Sequence, residues 1–414
     1  NQIINLLLEG RSDDFLKNQS RFELEKALRQ TRKSRAITPV VKKIDTTSSE
    51  YPSPSNYLYL TYDGDFHDHL ERDNKRSILI LGGGAYRIGA SVEFDWCAVA
   101  CSEQIQASGF KSIIINCNPE TVSTDYNSSS SLFFEELTVE RILDIAEFEG
   151  TKEVVVSMGG QLPNKLAGSL HSYDFNLLGH SFSTIDMAED RNKFSSLLDK
   201  IKIDQPRWAK ISSPEALNHF IEEVGFPVLL RPSYVLSGAA MKVAYNKESL
   251  DRYLDFVTDL SKDYPVVVSQ FISGARELDL DGIAKDGEVV FTIVSEHVEN
   301  AGIHSGDATT VVPAQRLYVE TVRKIKRAAR QIARGLKLNG PFNIQFLAKD
   351  NQIKVIECNA RAARSFPFVS KVCRINLAKA SAEVFLGRLP LSLRHTEDEL
   401  QYVGVKAAMF SFSR

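Results

Sequence analysis

The chain has 414 residues, of which 43% are hydrophobic and 25% charged, with a formal net charge of −3. That length predicts two or three domains with sizeable cores. The near-neutral balance gives no electrostatic case for nucleic acid or an anionic membrane, and no apolar run approaches the ~20 residues of a membrane span. Cys97, Cys101, Cys117, Cys358 and Cys373 form no CxxC pair and no zinc spacing with histidine, which suits a reducing compartment. A first residue other than Met predicts a piece of a longer chain.

Residues 1–35 read as a charged helical segment, and 36–75, rich in proline and serine, as an irregular linker. From Ser77 strands and helices alternate. SILILGGG is a buried strand ending in glycines, SVEFDWCAVACSEQIQASG a helix with a glycine stop, KSIIINCNPE a strand, VERILDIAEFEG a helix, KEVVVSMGG a third strand and FNLLGHS a short fourth. This is the pattern of a parallel α/β sheet, whose ligands sit beyond the C-terminal strand ends. AEDRNKFSSLLDKI (188–201) opens a new helix. Residues 205–300 mix the strands PVLLRPS, MKVAYN, YPVVVSQF and GEVVFTIVSEHV with two helices, an α+β pattern. A helix over 320–338 leads into the hairpin NIQFLAKDNQIKVIECN, another helix spans 376–387, and VGVKAAMFSF is a last strand that looks cut before a further domain. No internal repeat is evident.

The hairpin carries the first chemical signal. Side chains alternate faces along a strand, so Glu357, Asn359 and Arg361 share one face, and Asn343 and Gln345 share one on the partner. A loop of odd length sets Gln345 opposite Glu357 and matches Ile344 and Phe346 to Ile356 and Cys358. That register gathers Gln345, Glu357 and Asn359 into an all-oxygen cluster suited to Mg²⁺ or Mn²⁺ shared with nucleotide phosphates. Arg361 and Arg364 beyond it suit a phosphoryl group. The plainer alternative is a polar sheet face in water.

RPSYVLSGAAM (231–241) delivers Arg231 into a Ser/Gly loop through which backbone N–H groups approach an anion, though it is no Walker loop; a plain hairpin loop is the alternative. EHVENAGIHSGDATT crowds Gly302, His304, Ser305, Gly306 and Asp307 into one turn. In SGARELDLDG, Glu277 starts an acidic alternation that reads, taken alone, as a solvated face. ILGGGAYRIGAS places Arg87 where a dinucleotide fingerprint needs its third glycine, so that reading fails.

Long strings then identify a family. GGGAYRIGASVEFDWC, NCNPETVSTDY, SMGGQLPNKLA, AEDRNKF, RPSYVLSGAAM, SEHVENAGIHSGDAT, PFNIQF and IECNARAARSFPFVSK resemble the large subunit of carbamoyl-phosphate synthetase, in its C-terminal, carbamate-phosphorylating half and its eukaryotic type. The resemblance implies four segments: the end of a helical oligomerisation domain and linker (1–75), a pre-ATP-grasp parallel-sheet domain (76–190), an α+β ATP-grasp domain (191–391), and a linker with the start of a truncated allosteric domain (392–414). It implies ATP-dependent phosphorylation of carbamate, feeding pyrimidine or arginine/urea synthesis. By motif, Gln345, Glu357 and Asn359 would hold Mg²⁺ or Mn²⁺. Arg191 and Arg231 would meet ATP phosphates, and Gln270, Ile272 and Glu277 would line the adenosine pocket. Gly302, Ile303, His304 and Ser305 would line the nucleotide site, and Arg361 and Arg364 would grip the phosphoryl group or the carbamate. Residues 232–242 are the expected closing loop. The implied partners are an N-terminal synthetase half and a glutaminase domain or subunit, in an oligomer, without nucleic acid or membrane. The implied location is cytoplasmic, with mitochondrial as the alternative.

Three positions depart from the family pattern. Arg374 stands where a glycine is usual and is expected to strain or reshape its turn. Ala363 replaces a frequent serine, and Gln270 a frequent lysine. The competing readings are another ATP-grasp carboxylate–amine ligase, which would need an acceptor-amine site, and a scaffold, which would be expected to have lost one of Gln345, Glu357 and Asn359.

Overall fold

The computed structural model describes residues 21–51, 55–68, 75–84, 92–211, 214–232, 242–252, 266–301, 308–390, 393 and 400–407. The chain forms two compact units, residues 1–182 with 378–388, and residues 183–377 with 389–414. Among the described residues no helix is long and apolar enough to cross a membrane.

The first unit begins with α1 (Arg21–Ser34), β1 (Val40–Lys43), β2 (Tyr57–Thr61) and β3 (Ser77–Leu81). Then come α2 (Val92–Ala107), β4 (Lys111–Asn116), β5 (Ser131–Phe134), α3 (Val139–Glu149), β6 (Glu153–Val155) and β7 (Asn176–Leu177). The strands form one sheet in the order β1-β2-β5-β4-β3-β6-β7, parallel throughout except for β1 against β2. Every residue of β3 and β4 is buried, as a parallel sheet covered on both faces requires. The expected linker over 36–75 therefore needs correction, because β1 and β2 extend the sheet edge. Only alternate residues, Val41, Leu58 and Leu60, turn inward there, so the apolar run that marks β3 is missing.

α1 is held by charge. Arg29 and Arg32 are buried and both ion-pair with the Asp144 carboxylate of α3, Arg32 Nη2 at 3.0 Å. Beyond β3 the glycines serve close approach. A Cβ on Gly159 would lie 2.3 Å from the Gly82 carbonyl oxygen. The N–H of Gly83 donates to Asp95 Oδ1 and that of Gly84 to Asn116 Oδ1. These amides are spent internally, which agrees with the failed dinucleotide fingerprint.

The second unit opens with α4 (Phe182–Glu189) and α5 (Arg191–Lys200), the latter capped by Asp190, whose side chain accepts from the Lys193 N–H at 2.9 Å. The helix expected over 188–201 is thus two helices broken at a cap. β8 (Trp208–Ile211), α6 (Pro214–Val224), β9 (Val228–Pro232), β10 (Lys242–Ala244) and β11 (Val266–Gln270) follow. The four strands pair antiparallel in the order β10-β9-β11-β8. Leu217 and Phe220 of α6 fill a core with Val228, Leu230, Ala244, Leu250 and Val268.

β12 (Arg276–Lys285), β13 (Glu288–Asn300), β14 (Thr310–Val312), α7 (Val319–Leu336), β15 (Gly340–Lys349) and β16 (Gln352–Asn359) come next. α8 (Phe366–Cys373), α9 (Leu377–Phe385) and β17 (Gly404–Lys406) complete the described chain. A second antiparallel sheet runs β16-β15-β12-β13-β14-β17. From Ala378 onward α9 belongs to the first unit.

Candidate active site

The β15–β16 hairpin turns at Asp350 and Asn351, both with left-handed φ (51° and 59°), between the paired residues Lys349 and Gln352. This is an even, two-residue loop, not the expected odd one. On its own it would set Gln345 opposite Ile356. A bulge restores the parity: the register shifts between Gln345 and Phe346, so that Phe346 pairs with Val355, Gln345 with Glu357, Ile344 with Cys358 and Asn343 with Asn359. Val355 and Cys358 are buried, while Ile356, Glu357 and Asn359 are half-buried together.

These groups touch one another. Asn359 Nδ2 donates to Glu357 Oε1 at 3.1 Å, and Arg361 Nη2 donates to Asn359 Oδ1 at 3.0 Å. Arg364 is exposed. No three of His, Cys, Asp and Glu cluster as metal ligands among the described residues. The donor set is instead one carboxylate and two amides shared by the paired strands β15 and β16, which fits a hard divalent cation drawing its other ligands from phosphate and water.

The acidic alternation of β12 is not a solvated face. Asp279 is 6% exposed and Asp281 0%. β12 pairs with β15 so that Asp279 stands opposite Gln345 and Asp281 opposite Asn343. The two carboxylates therefore lie in the same two cross-strand rows as the Gln345–Glu357 and Asn343–Asn359 pairs. Asn343 Nδ2 donates to Asp281 Oδ1 at 2.9 Å, and His297 Nε2 lies 2.8 Å from Asp279 Oδ2. Burial, then the charge of Asp279, push the Asp281 carboxyl up to about 7, against hydrogen bonds from Ser365 and Asn343 and the charge of Lys406. Burial pulls the His297 imidazole down, but the hydrogen bond and charge of Asp279 outweigh it, and its pKa is raised. Sequence reasoning missed Asp279, Asp281, His297 and Asn343 as a network. The available signal was that Asp279 and Asp281 share the two-residue spacing of Asn343 and Gln345.

Gln270, Ile272 and Glu277 lie on the stretch that joins the two sheets. Gln270 ends β11, its N–H bonded to the Arg207 carbonyl at 2.8 Å. A turn through Gly274 (φ 70°) follows, with the Ala275 N–H on the Ile272 carbonyl at 3.3 Å, and Glu277 lies half-buried in β12. Arg191 is the first residue of α5, its guanidinium 5.6 Å from the Trp208 ring centroid. The backbone of Arg231, in β9, pairs with Val267 of β11, and the Arg231 side chain lies outside the described residues. Gly302, Ile303, His304 and Ser305, and the closing-loop residues 233–241, also lie outside them. Among the described residues that flank 302–307, Val298 N–H donates to the Thr309 carbonyl, and Thr309 N–H to Glu299 Oε2, both at 2.8 Å.

Arg374 stands in the left-handed conformation that favours glycine. It caps α8 with φ 55°, and its guanidinium sits 5.5 Å over the Tyr402 ring, whose hydroxyl donates to the Val372 carbonyl. The left-handed φ is the strain expected of a side chain at a glycine's position, and the aromatic contact offsets part of its cost.

Residues 74–187 match the carbamoyl phosphate synthase preATP-grasp domain, and residues 190–393 the carbamoyl-phosphate synthase L chain ATP binding domain. The chain is 51% identical to the multifunctional protein URA2 of Saccharomyces cerevisiae over 391 residues, covering 94% of this chain and 18% of that protein. It is 48% identical to the arginine-specific carbamoyl phosphate synthase large chain of Eremothecium gossypii, over 94% of this chain and 35% of that one. Among solved structures, the biotin carboxylase domain of Hydrogenobacter thermophilus 2-oxoglutarate carboxylase, in complex with MgADP, ADP and bicarbonate, superposes with a TM-score of 0.64. It is 14% identical, and the match covers 80% of this chain and 74% of that one. An N5-carboxyaminoimidazole ribonucleotide synthetase in complex with ADP does so at 0.61, with 17% identity, over 77% and 78% of the two chains. Both likenesses speak for the fold, a parallel-sheet unit followed by an ATP-grasp unit. The chain belongs to the carbamoyl-phosphate synthase large-chain family.

Proposed function

We propose that this chain phosphorylates carbamate with ATP, giving carbamoyl phosphate and ADP, as the second synthetase half of a longer enzyme. The observation that carries the reading is the bulged β15–β16 register, which sets Gln345 against Glu357 and chains Glu357, Asn359 and Arg361 through two hydrogen bonds. In this reading residues 76–190 are the pre-ATP-grasp domain and 191–391 the ATP-grasp domain. The nitrogen donor is delivered through an N-terminal half and a glutaminase domain or subunit, in a cytoplasmic oligomer whose product enters pyrimidine or arginine synthesis.

A carbamate oxygen attacks the γ-phosphorus, and the bond to the β,γ-bridging oxygen breaks to release ADP. Carbamate is already an anion, so the chain need supply no strong base. Its task is positioning and charge. Gln345, Glu357 and Asn359 would hold Mg²⁺ or Mn²⁺, and the ion would supply charge neutralisation for the phosphates. Arg364, exposed beyond β16, is available to an equatorial phosphoryl oxygen or to the carbamate. Arg361, already tied to Asn359, fixes the end of that strand. Arg191 and Arg231 meet the polyphosphate. Gln270, Ile272 and Glu277, on the stretch between the sheets, meet the nucleoside, and the segment carrying Gly302, Ile303, His304 and Ser305 completes the nucleotide site.

The test is the reverse reaction, ATP formed from ADP and carbamoyl phosphate with Mg²⁺, on this chain and on Glu357→Gln. We expect ATP from the parent and a loss of about a hundredfold or more in the variant, with the fold kept. Equal turnover in the two would remove the metal assignment. A folded parent that binds ADP yet forms no ATP would remove the reaction.

A further inference from the structure

We propose that Trp208 is a positioning residue for the nucleotide, an aromatic seat that holds the Arg191 guanidinium where the ATP polyphosphate arrives; this rests on the reading that Arg191 meets those phosphates. Arg191 and Ser195 stand one turn apart on α5, and the Trp208 side chain reaches both. Its ring lies under the guanidinium at 5.6 Å, within the range of a cation–π contact. Its Nε1–H donates to Ser195 Oγ at 2.6 Å. The hydroxyl is used in both directions, since Ser195 Oγ donates in turn to Gln205 Oε1 at 2.7 Å. Gln205 Nε2 is held by the Ser195 carbonyl at 3.2 Å and Asp199 Oδ1 at 3.0 Å.

The backbone under the indole is fixed as well. Trp208 opens β8 and pairs with Ser269 in β11, one residue before Gln270, and the Gln270 N–H bonds to Arg207. The residue thus meets the arginine assigned to the phosphates through its indole, and through its backbone the strand that ends in a residue assigned to the nucleoside. A side chain needed only as filling would have no use for this alignment of ring face and N–H. An arginine with four rotatable bonds does, because an unseated guanidinium must be ordered each time ATP binds.

The chain has two tryptophans, Trp96 and Trp208, so Trp96→Phe makes Trp208 a sole reporter. In that background we would titrate MgADP, MgATP and adenosine while following indole emission, and measure MgATP affinity by calorimetry. The expected result is an emission change with MgADP and MgATP but not with adenosine, abolished in Arg191→Ala. Trp208→Leu should weaken MgATP about five- to tenfold, Trp208→Phe should restore most of that, and kcat at saturating ATP should hardly move. MgATP binding without any emission change, or Trp208→Leu binding as the parent while Arg191→Ala is weakened, would overturn the seat. If Arg191→Ala also binds as the parent, the phosphate role of Arg191 falls instead. Should Trp208→Leu fail to fold, the emission titration and Trp208→Phe decide.

Discussion

The environment of Asp281 takes its carboxyl far from ordinary carboxylate chemistry. Its carboxyl is pushed up to about 7 from 3.8 by burial and by Asp279. The sign of the consequence follows from proton counting. Between about pH 4 and about pH 7 the folded chain keeps this proton and the unfolded chain has released it, so stability falls as pH rises through that window and levels above it. His297 acts in the same direction. Its pKa is raised from 6.5, so its pairing with Asp279 is fully stabilising below about pH 6.5 and lost as pH rises through the folded value. Asp95 and Glu135, also raised by burial, slope the same way, and carboxylates held low, such as Glu147 and Glu296, slope the opposite way, so the difference between two chains isolates Asp281. Urea unfolding at pH 5 and pH 7.5 without divalent metal should show Asp281→Asn losing less stability across the interval than the parent, by on the order of 2 kcal/mol. Parallel slopes would mean that Asp281 ionises normally. That the acidic spacing of β12 predicted water there shows the limit of a strand read alone. Asn343, His297 and Ser365, which make this pair tolerable, lie 62, 16 and 84 residues further along.

The bulge in β16 decides the geometry of the site, and it tests how far elements are legible. Alternation of polar and apolar residues was enough to gather Gln345, Glu357 and Asn359. The route by loop parity was wrong, because Asp350 and Asn351 make an even turn and Ile356 is the extra residue that corrects it. Asp-Asn is a left-handed turn sequence in hindsight, whereas a bulge at Ile356 has no residue signature at all. β1 and β2 escaped for a related reason: a strand at or next to the sheet edge that buries only Val41, or Leu58 and Leu60, reads like a loop when serines and prolines flank it. Deleting Ile356 gives a sharp prediction. Without it a regular ladder pairs Phe346 with Val355, Gln345 with Glu357 and Asn343 with Asn359, the same partners with no kink. The variant should keep its circular dichroism and lose about a hundredfold in ATP formation from carbamoyl phosphate, since a misplacement of about 1 Å at the reacting centre costs that much. Retained turnover would show that partner identity suffices and that the bulge aims nothing.

The molecule as a whole is two units threaded unequally. The first unit recruits α9 from far along the chain: Lys379 Nζ lies 2.8 Å from Glu103 Oε2, and Arg388 Nη1 3.2 Å from Ser108 Oγ, both on or just beyond α2. Ala378, Ala380, Ala382 and Val384 are buried. The parallel sheet is encoded before Phe182, but the unit closes only when residues 378–388 have been made. The alternating strands and helices announced the sheet; nothing in their pattern announced a helix that returns to it. The second unit, by contrast, carries every described nucleotide residue named above. Ligand linkage then separates the two. A ligand that binds only the folded state stabilises by RT ln(1 + [L]/Kd), about 2.7 kcal/mol at a hundred times Kd. In calorimetry, saturating MgADP should raise the melting of residues 183–377 by several degrees. A transition belonging to residues 1–182 with 378–388 should follow only as far as the two are coupled. Glu357→Gln should blunt the magnesium-dependent part of the shift and leave the transition of the first unit in place. Because α9 belongs to the first unit, Ala382→Arg, at a fully buried position of that helix, should melt that unit early while the second unit, left with all of its own strands, still responds to MgADP. If Ala382→Arg left the first transition untouched, α9 would be an ornament of the first unit and not part of its core.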